Sequence, residues 1–156
     1  MNPLSTILTI LAIILSSCAK NRLDQEMEAL CRKDGGHKVY EQIMLGPEEF
    51  KQGHKRLYFE SSESDREKLL GPHYRLIEQF ENVAGTPGNI SEGYVGKLTT
   101  RIVRCADQKV IGESVLYMRI GGDGLSSIIH WQPSSSKCPA ENVDIISAVF
   151  KEELKK

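Results

Sequence analysis

The hydrophobic residues at the start of the chain form one uncharged block. Between residues 4 and 15 only Ser5, Thr6 and Thr9 are polar, and the block ends at two serines and a cysteine. A helix of about twelve residues extends about 18 Å, far short of a hydrocarbon core of about 30 Å. The pattern therefore predicts the hydrophobic region of an export signal rather than a membrane span.

The four residues at the end of this block, Leu-Ser-Ser-Cys at 15–18, resemble the lipobox of bacterial lipoproteins. In a lipobox, a branched apolar residue and two small residues precede the cysteine that receives the lipid. The resemblance implies that Cys18 carries a diacylglycerol thioether and that cleavage falls between Ser17 and Cys18. Acylation of the new amino terminus, for example with palmitate, would make the anchor durable, because two or three chains hold a protein stably on a membrane.

The lipobox also implies how the chain is divided. Its parts would be a signal peptide at residues 1–17, a lipidated terminus with a short tether at 18–21, and a single domain at 22–156. Ala19 stands where an aspartate would resemble a retention signal. The expected location is therefore the cell envelope of a Gram-negative bacterium, on the outer membrane and facing the periplasm.

Two later segments show the periodicity of amphipathic helices. Residues 22–33 have apolar side chains three or four positions apart, Asn21 as a candidate cap and a double glycine as the stop. A second helix is expected over residues 142–154, with Asn142 near its cap and two lysines at its end, where cations suit the helix dipole. The apolar positions are Leu23, Met27, Leu30 and Cys31 in the first helix, and Ile145, Ile146, Val149, Phe150 and Leu154 in the second.

Alternating apolar and polar residues predict strands between these helices. The clearest signal is a hairpin at residues 94–120, whose two long arms are joined by a turn at residues 106–109. In its first arm we expect Ile102 to face the core and Arg101 to face away, because adjacent strand residues point to opposite faces. The weaker elements are strands at residues 38–45, 55–60 and 74–83, a capping box at 64–67 that starts a short helix, and an irregular segment at 125–139.

Length and composition fit one small globular domain. The chain has 156 residues, of which 26% are charged, and a chain of this size buries a core without help from metals or disulfides. We therefore expect an α+β fold, in which an antiparallel sheet of four or five strands carries the N- and C-terminal helices packed on it. The formal net charge of −1 argues against a nucleic-acid partner.

Three cysteines follow Cys18 in the chain, namely Cys31, Cys105 and Cys138. Export would place them in a compartment where disulfides persist. One bridge and one free thiol is the simplest arrangement of three cysteines, and all three pairings are possible.

The mature chain also resembles a group of small bacterial lipoproteins. The resemblance rests on the segments 27–31, 34–36, 39–41, 121–123, 133–135 and 138–139. No activity is assigned to that group, so the resemblance implies no substrate and no cofactor. It does imply a disulfide between Cys31 and Cys138, because the equivalent positions are the usual pair and the position of Cys105 is often held by another residue. The second choice is a bridge between Cys105 and Cys138.

Two short patterns resemble sites, but each has a more ordinary interpretation. Ser134 and Lys137 match S-x-x-K, in which a lysine one helical turn after a serine activates it as a nucleophile. That pattern requires a helix, whereas these residues lie between prolines in a predicted loop. The glycine-rich segment 121–124 lacks the spacing of a phosphate-binding loop or an EF-hand and predicts a turn. We therefore assign no catalytic or cofactor-binding residue.

The histidines and the single tryptophan are also weak signals. The spacing of the histidines matches no zinc signature, so no metal site is predicted. Trp131 is expected in the core, although an exposed tryptophan would mark a binding surface. The histidines are His37 and His73, both expected at the surface, together with His54 and His130.

These observations favour a non-enzymatic envelope lipoprotein. We expect its domain to bind another envelope protein or a wall component, or to act structurally, while the lipid on Cys18 holds it on the membrane. The alternative is a lipid-anchored envelope hydrolase whose site is assembled from residues distant in sequence. No acid, base and nucleophile can be selected together from the sequence, which favours the binding or structural module.

Overall fold

A computed structural model of the chain describes residues 3–47, 72–124, 133–141 and 144–153. In this part of the chain, five strands form one antiparallel sheet in the order β1-β5-β4-β3, with β6 also paired to β5, while β2 and β7 form a separate parallel pair. The expected α+β fold with its N- and C-terminal helices is confirmed. The elements are α1 (Pro3–Asp34), β1 (Gly36–Val39), β2 (Ile43–Leu45), β3 (Tyr74–Gly85), β4 (Tyr94–Arg104), β5 (Val110–Ile120), β6 (Ser135–Cys138), α2 (Ile145–Val149) and β7 (Phe150–Glu152).

The hairpin of β4 and β5 lies where the alternation predicted it. Its turn is closed by a hydrogen bond from the Arg104 amide to the Lys109 carbonyl at 2.9 Å. Within the turn, the Asp107 carboxylate accepts from the Lys109 amide at 3.2 Å, and Gln108 adopts a positive φ of 57°. Aspartate favours such turns because its side chain replaces a backbone acceptor. The predicted strand at residues 74–83 is likewise confirmed as β3, which continues to Gly85.

The chain divides into two compact units, and the three long strands contribute residues to both. Unit 1 consists of Met1–Gly35, Phe80–Leu98 and Leu116–Glu141, and unit 2 consists of Gly36–Gln79, Thr99–Val115 and Asn142–Lys156.

Unit 1 contains α1, the second half of β5 and β6. The sheet register pairs Tyr117 with Cys138 and Ile120 with Ser135. Cys31 on α1 is disulfide-bonded to Cys138 on β6, and Cys105 is left as a free thiol. In the part of α1 whose side chains are described, residues 19–34, the buried apolar residues are four positions apart, as the spacing predicted: Leu23, Met27 and Cys31.

Unit 2 contains β1, the first half of β5, α2 and the pair of β2 and β7. Ile102 is completely buried in its core, as expected, and Ile111 of β5 lies in the same cluster. The remaining buried members of this cluster are Leu76, Ile145, Ile146, Val149 and Phe150, with Val39, Ile43 and Leu45 packed at its edge.

The first helix is longer than the apolar spacing at residues 22–33 predicted. It begins at Pro3 and ends at Asp34, so Asn21 lies inside it and is not a cap. Residues 18–21, expected as a short tether, are helical too. The physical reason is that no glycine or proline occurs between Pro3 and the double glycine that stops the helix. Proline itself is well suited to a first helical turn.

The single strand expected at residues 38–45 is two strands. The amides of Tyr40 and Glu41 both donate to the carbonyl of Ile111, at 2.9 and 3.1 Å. Two donors on one acceptor end the regular pairing of β1 with β5, and the chain bends before β2 begins. The strand β2 then pairs with β7, so one apolar run serves two different partners.

The closing helix is much shorter than residues 142–154. Asp144 caps α2, since its carboxylate accepts from the amides of Ile146 and Ser147 at 3.1 and 3.4 Å. Phe150 leaves the helix with extended backbone angles, begins β7 opposite Ile43 and packs edge-on against Tyr74 with ring centroids 5.1 Å apart. Strand pairing and this ring contact override the helical period of the apolar residues. The predicted cap Asn142 lies outside the described residues.

The other expectations concern weaker segments. The irregular segment expected at residues 125–139 contains a strand, β6, in its described part. The strand expected at residues 55–60 and the helix at 64–67 lie outside the described residues.

The burial of Ile102 generates a stability prediction. Ile102→Asp should cost several kcal/mol of the about 5–15 kcal/mol that typically stabilise a domain, because an unpaired charge would be buried. Arg101→Gln is the control, since this side chain is 40% exposed and its ion pair with Glu113 should contribute no more than about 1 kcal/mol. Thermal and urea unfolding of both variants checks the prediction. If both substitutions lowered the free energy of unfolding equally, the assignment of Ile102 to the buried face of β4 and of Arg101 to the opposite face would be wrong.

Candidate functional site

The least expected feature of unit 1 is the buried guanidinium of Arg119. The side chain lies on β5, is only 2% exposed and therefore needs acceptors inside the protein. Its Nε donates to Asp24 Oδ1 at 2.6 Å. Its Nη1 donates to Ser134 Oγ at 2.8 Å, to the Ser134 carbonyl at 3.1 Å and to the Gly121 carbonyl. One guanidinium thus connects α1, the glycine turn after β5 and the residue before β6.

Two carboxylates and two hydroxyls complete this site. Asp123 accepts from the Ser134 hydroxyl at 2.7 Å and from the Ser134 amide at 2.9 Å, and it forms an ion pair with Lys20 at 3.1 Å. Asp24 accepts from the Ser136 hydroxyl at 2.9 Å. We call this group the Arg119 cluster; its members are Lys20, Asp24, Arg119, Asp123, Ser134 and Ser136.

Short-range geometry explains why these residues meet. Lys20 and Asp24 are one helical turn apart and so lie on the same side of α1. Ser134 and Ser136 are two residues apart, and both turn toward the cluster because strand side chains alternate between faces. Lys137 is exposed, and this segment is extended rather than helical. The S-x-x-K arrangement of Ser134 and Lys137 therefore does not form.

The pKa of Asp123 fits a structural role that holds segments together better than the role of a catalytic base. Burial raises the pKa of Asp123, but hydrogen bonds from Ser134 and Lys20 outweigh it, and the net pKa lies below its ordinary value. A base that activates a hydroxyl works best with a pKa near the operating pH. Asp123 is instead held ionised, and the Ser134 hydroxyl that it accepts from is also bound by Arg119.

A second polar group lies at the C-terminal end of α1. Asp34 accepts from the buried Tyr117 hydroxyl at 2.6 Å and pairs with Lys97 at 2.8 Å. The Lys97 ammonium also lies 5.7 Å from the Tyr117 ring centroid. The hydrogen bond from Lys97 lowers the pKa of Asp34, and the same bond raises the pKa of Lys97. An aspartate at the negative end of a helix dipole is unfavourable, and these partners offset it.

The disulfide links α1 to β6 at a position between these two polar groups. Cys31 lies one turn before Asp34, and its partner Cys138 is two residues after Ser136. The bridge spans 107 positions of the chain. A loop of that length is worth about 4–5 kcal/mol in the chain-entropy model.

The remaining candidates from the sequence do not come together with this site. His37 and His73 are exposed, as expected, whereas His54, His130 and Trp131 lie outside the described residues. The glycine segment 121–124 is the expected turn, with positive φ at three of its glycines. In the part of the chain that the structure describes, no group of three or more histidine, cysteine, aspartate or glutamate side chains could hold a metal ion.

The Arg119 cluster was not found by sequence reasoning, although one signal pointed to it. The inward positions of β5 include Ile111, Val115 and Tyr117, and the next inward position in the alternation is Arg119. A charged residue at an inward strand position requires a buried partner. The identity of that partner follows only from the three-dimensional fold.

Comparisons with protein families, with curated proteins and with solved structures find no match to this chain. Among the described residues, no helix combines the length and apolar character needed to cross a bilayer.

The burial of Arg119 generates a second stability prediction. Asp24→Asn should cost about 3–5 kcal/mol, because it leaves a buried charge without its carboxylate. Glu113→Gln is a matched control, since Glu113 pairs with Arg101 at the same nitrogen-to-oxygen distance of 2.6 Å, but with an exposed arginine. That control should cost less than about 1 kcal/mol. Urea unfolding measures both, and a loss for Glu113→Gln as large as that for Asp24→Asn would refute this structural role.

The Asp34 group predicts how stability depends on pH. A carboxylate whose folded pKa is depressed stabilises the fold above its unfolded pKa of about 3.9 and loses this contribution as the pH falls through the folded value. Asp34→Asn should therefore be less stable than wild type at neutral pH, with a difference that shrinks below about pH 4. Thermal melts from neutral to acidic pH measure this difference, with the exposed Glu28→Gln on the same helix as control. A difference that stays constant through this range would contradict the assignment.

Proposed function

We propose that this chain is the precursor of a lipid-anchored envelope protein. The observation that carries the proposal is the uncharged apolar block at residues 4–15, which ends at Leu-Ser-Ser-Cys. Residues 1–17 are the signal peptide, and Cys18 bears the diacylglycerol and becomes the acylated amino terminus. With alanine at position 19, the destination is the outer membrane of a Gram-negative bacterium, with the domain facing the periplasm.

The disulfide supports an exported location. Cys31 and Cys138 are bonded at a long sequence separation. Stable disulfides occur in secreted and periplasmic proteins and are rare where glutathione and thioredoxin keep thiols reduced. The location inferred from residues 15–18 and the redox state of the domain are therefore consistent with each other.

We further propose that the mature domain is a binding or structural module rather than an enzyme. The groups of the Arg119 cluster satisfy one another: Asp24 and Arg119 form a buried pair, and the Ser134 hydroxyl lies between Arg119 and Asp123. Such a network holds three segments in place, and the lowered pKa of Asp123, the carboxylate to which the serine donates, makes it a weak base for activating that hydroxyl. The partner is accordingly an envelope protein or a wall component that the domain binds.

The connection between anchor and domain supports a fixed position at the membrane. The helix α1 runs without interruption from before Cys18 to Asp34, and Lys20 is tied to Asp123. Only one residue separates Lys20 from the lipidated position. The domain is thus held against the membrane surface rather than on a flexible leash.

The anchor proposal predicts the effect of one substitution. Cys18→Ala should abolish incorporation of an alkyne fatty acid and signal removal at this site, because the thiol is the atom that accepts the lipid. In-gel fluorescence after metabolic labelling measures the incorporation, and Cys105→Ala, which removes the free thiol of unit 2, serves as control and should label like wild type. Full labelling of the Cys18→Ala protein would refute the proposal.

The non-enzymatic part is tested with the same preparations. The lipidated wild-type protein should turn over none of a panel of ester, phosphoester, peptide and peptidoglycan substrates. Reproducible turnover that a single serine or histidine substitution abolishes would replace the binding module with the anchored hydrolase.

A further inference from the structure

The loop after β3 lies next to the proposed lipid attachment site. Residues 86–93, which we call the anchor-side loop, pack on the glycine segment 121–124. The Gly122 amide donates to the Ile90 carbonyl at 3.0 Å, and the Gly124 amide donates to the Ser91 carbonyl at 3.1 Å. Gly122 in turn lies against α1, since a Cβ built on it would be 3.3 Å from the Cα of Lys20. The loop is therefore one layer of backbone away from the start of the mature helix.

The distances place this loop within the reach of a lipid headgroup layer. Cys18 and Lys20 are two residues apart in a helix, which is about 3 Å along its axis. The step from Lys20 to Ile90 crosses only the backbone of Gly122. The interfacial layer on each side of a bilayer is about 5–8 Å thick. A lipid on Cys18 thus brings the anchor-side loop to the same layer.

The chemistry of the loop suits contact with lipid. Ile90 is 49% exposed and is one of four large apolar side chains exposed among the described residues. Residues 86–91 are Thr-Pro-Gly-Asn-Ile-Ser and carry no charge. The polar side chain of Asn89 is occupied within the loop, because its Oδ1 accepts from the Ser91 hydroxyl at 2.7 Å and from the Glu92 amide at 3.4 Å. Residues 86–91 can therefore approach a bilayer without desolvation of a charged side chain, while Glu92, the one charged residue of the anchor-side loop, is exposed and stays hydrated at the level of the headgroups.

The loop is also held in one conformation. The Thr86 amide donates to the Gly93 carbonyl at 3.0 Å, and the Gly93 amide donates to the Asn89 carbonyl at 2.8 Å. Gly93 has a φ of +74°, and a Cβ there would collide with the Gly122 backbone. Only glycine permits this close approach of the two loops. Ile90 consequently stays exposed beside α1 without the entropy cost of ordering a mobile loop.

We propose that the anchor-side loop is a second membrane contact, in which Ile90 enters the boundary between headgroups and acyl chains beside the lipid on Cys18. The occupant of this surface is the bilayer that carries the anchor. The inference rests on the proposed lipidation of Cys18, because the nearness of the loop to that residue is what brings it to the membrane. Together, the lipid and Ile90 fix which end of α1 faces the membrane.

Site-specific photocrosslinking tests the contact. A diazirine amino acid replaces Ile90 in one preparation and Lys33 in the control, and each lipidated mature protein is reconstituted in phosphatidylethanolamine and phosphatidylglycerol vesicles. Lys33 is exposed on α1, the helix that also contains Cys18, and lies about 20 Å from Lys20 along the helix axis. After irradiation, mass spectrometry should find several-fold more lipid adducts at position 90 than at position 33. Equal yields, or adducts at neither position, would overturn the inference.

Two further measurements distinguish the possible failures. Intact mass shows whether Cys18 carries the lipid; a protein that lacks it refutes the proposed function and this inference with it. A lipidated protein with equal adduct yields refutes only the membrane contact of the loop. Thermal melts of both labelled proteins should match wild type, because both positions are exposed, so that a difference in adducts reports the location of the probe.

Discussion

The burial of one guanidinium determines how the segments of unit 1 are arranged. Arg119 cannot leave water unless acceptors replace its hydration, and a single neighbouring strand does not provide enough of them. The acceptors come from α1, from the glycine turn after β5 and from the residue before β6. Gly121 is only two residues from Arg119, but Asp24 and Ser134 are 95 and 15 positions away, so the requirement of one side chain brings distant segments together. The disulfide between Cys31 and Cys138 then holds two of the same segments covalently.

The two polar groups along α1 have different consequences for the helix. Within the helix, Lys20 and Asp24 tie it to Asp123 and Arg119. At its end, Asp34 is opposed to the helix dipole and is stabilised by Lys97 and Tyr117. The helix is therefore tied to other segments of unit 1 at Lys20, Asp24 and Asp34. This explains why a helix of modest amphipathic character is a fixed part of the unit.

The sequence predicted those features that are set by local periodicity and failed where distant partners decide. The buried face of α1, its stop at the double glycine, and the hairpin of β4 and β5 follow from spacing and turn chemistry, and the structure contains all three. The strands β6 and β7 were missed because each has only three or four residues. Such strands exist only through pairing with β5 and β2, and their own side chains give no alternating signal.

The same distinction applies to the candidate site and to its biological setting. The inward position of Arg119 in the sequence indicated that its charge has a buried partner. That Asp24 and Ser134 are the partners could be learned only from the three-dimensional structure. If Cys18 carries a lipid, α1 connects the lipid to the Arg119 cluster without a break. The contacts of the cluster would then limit how the domain can be oriented relative to the membrane. A flexible tether would let the domain present any face to the periplasm. With a lipid on Cys18, a helix tied down at Lys20 would instead keep residues 18–21 and the anchor-side loop near the bilayer, and a periplasmic partner of unit 1 would bind a surface nearer to Asp34.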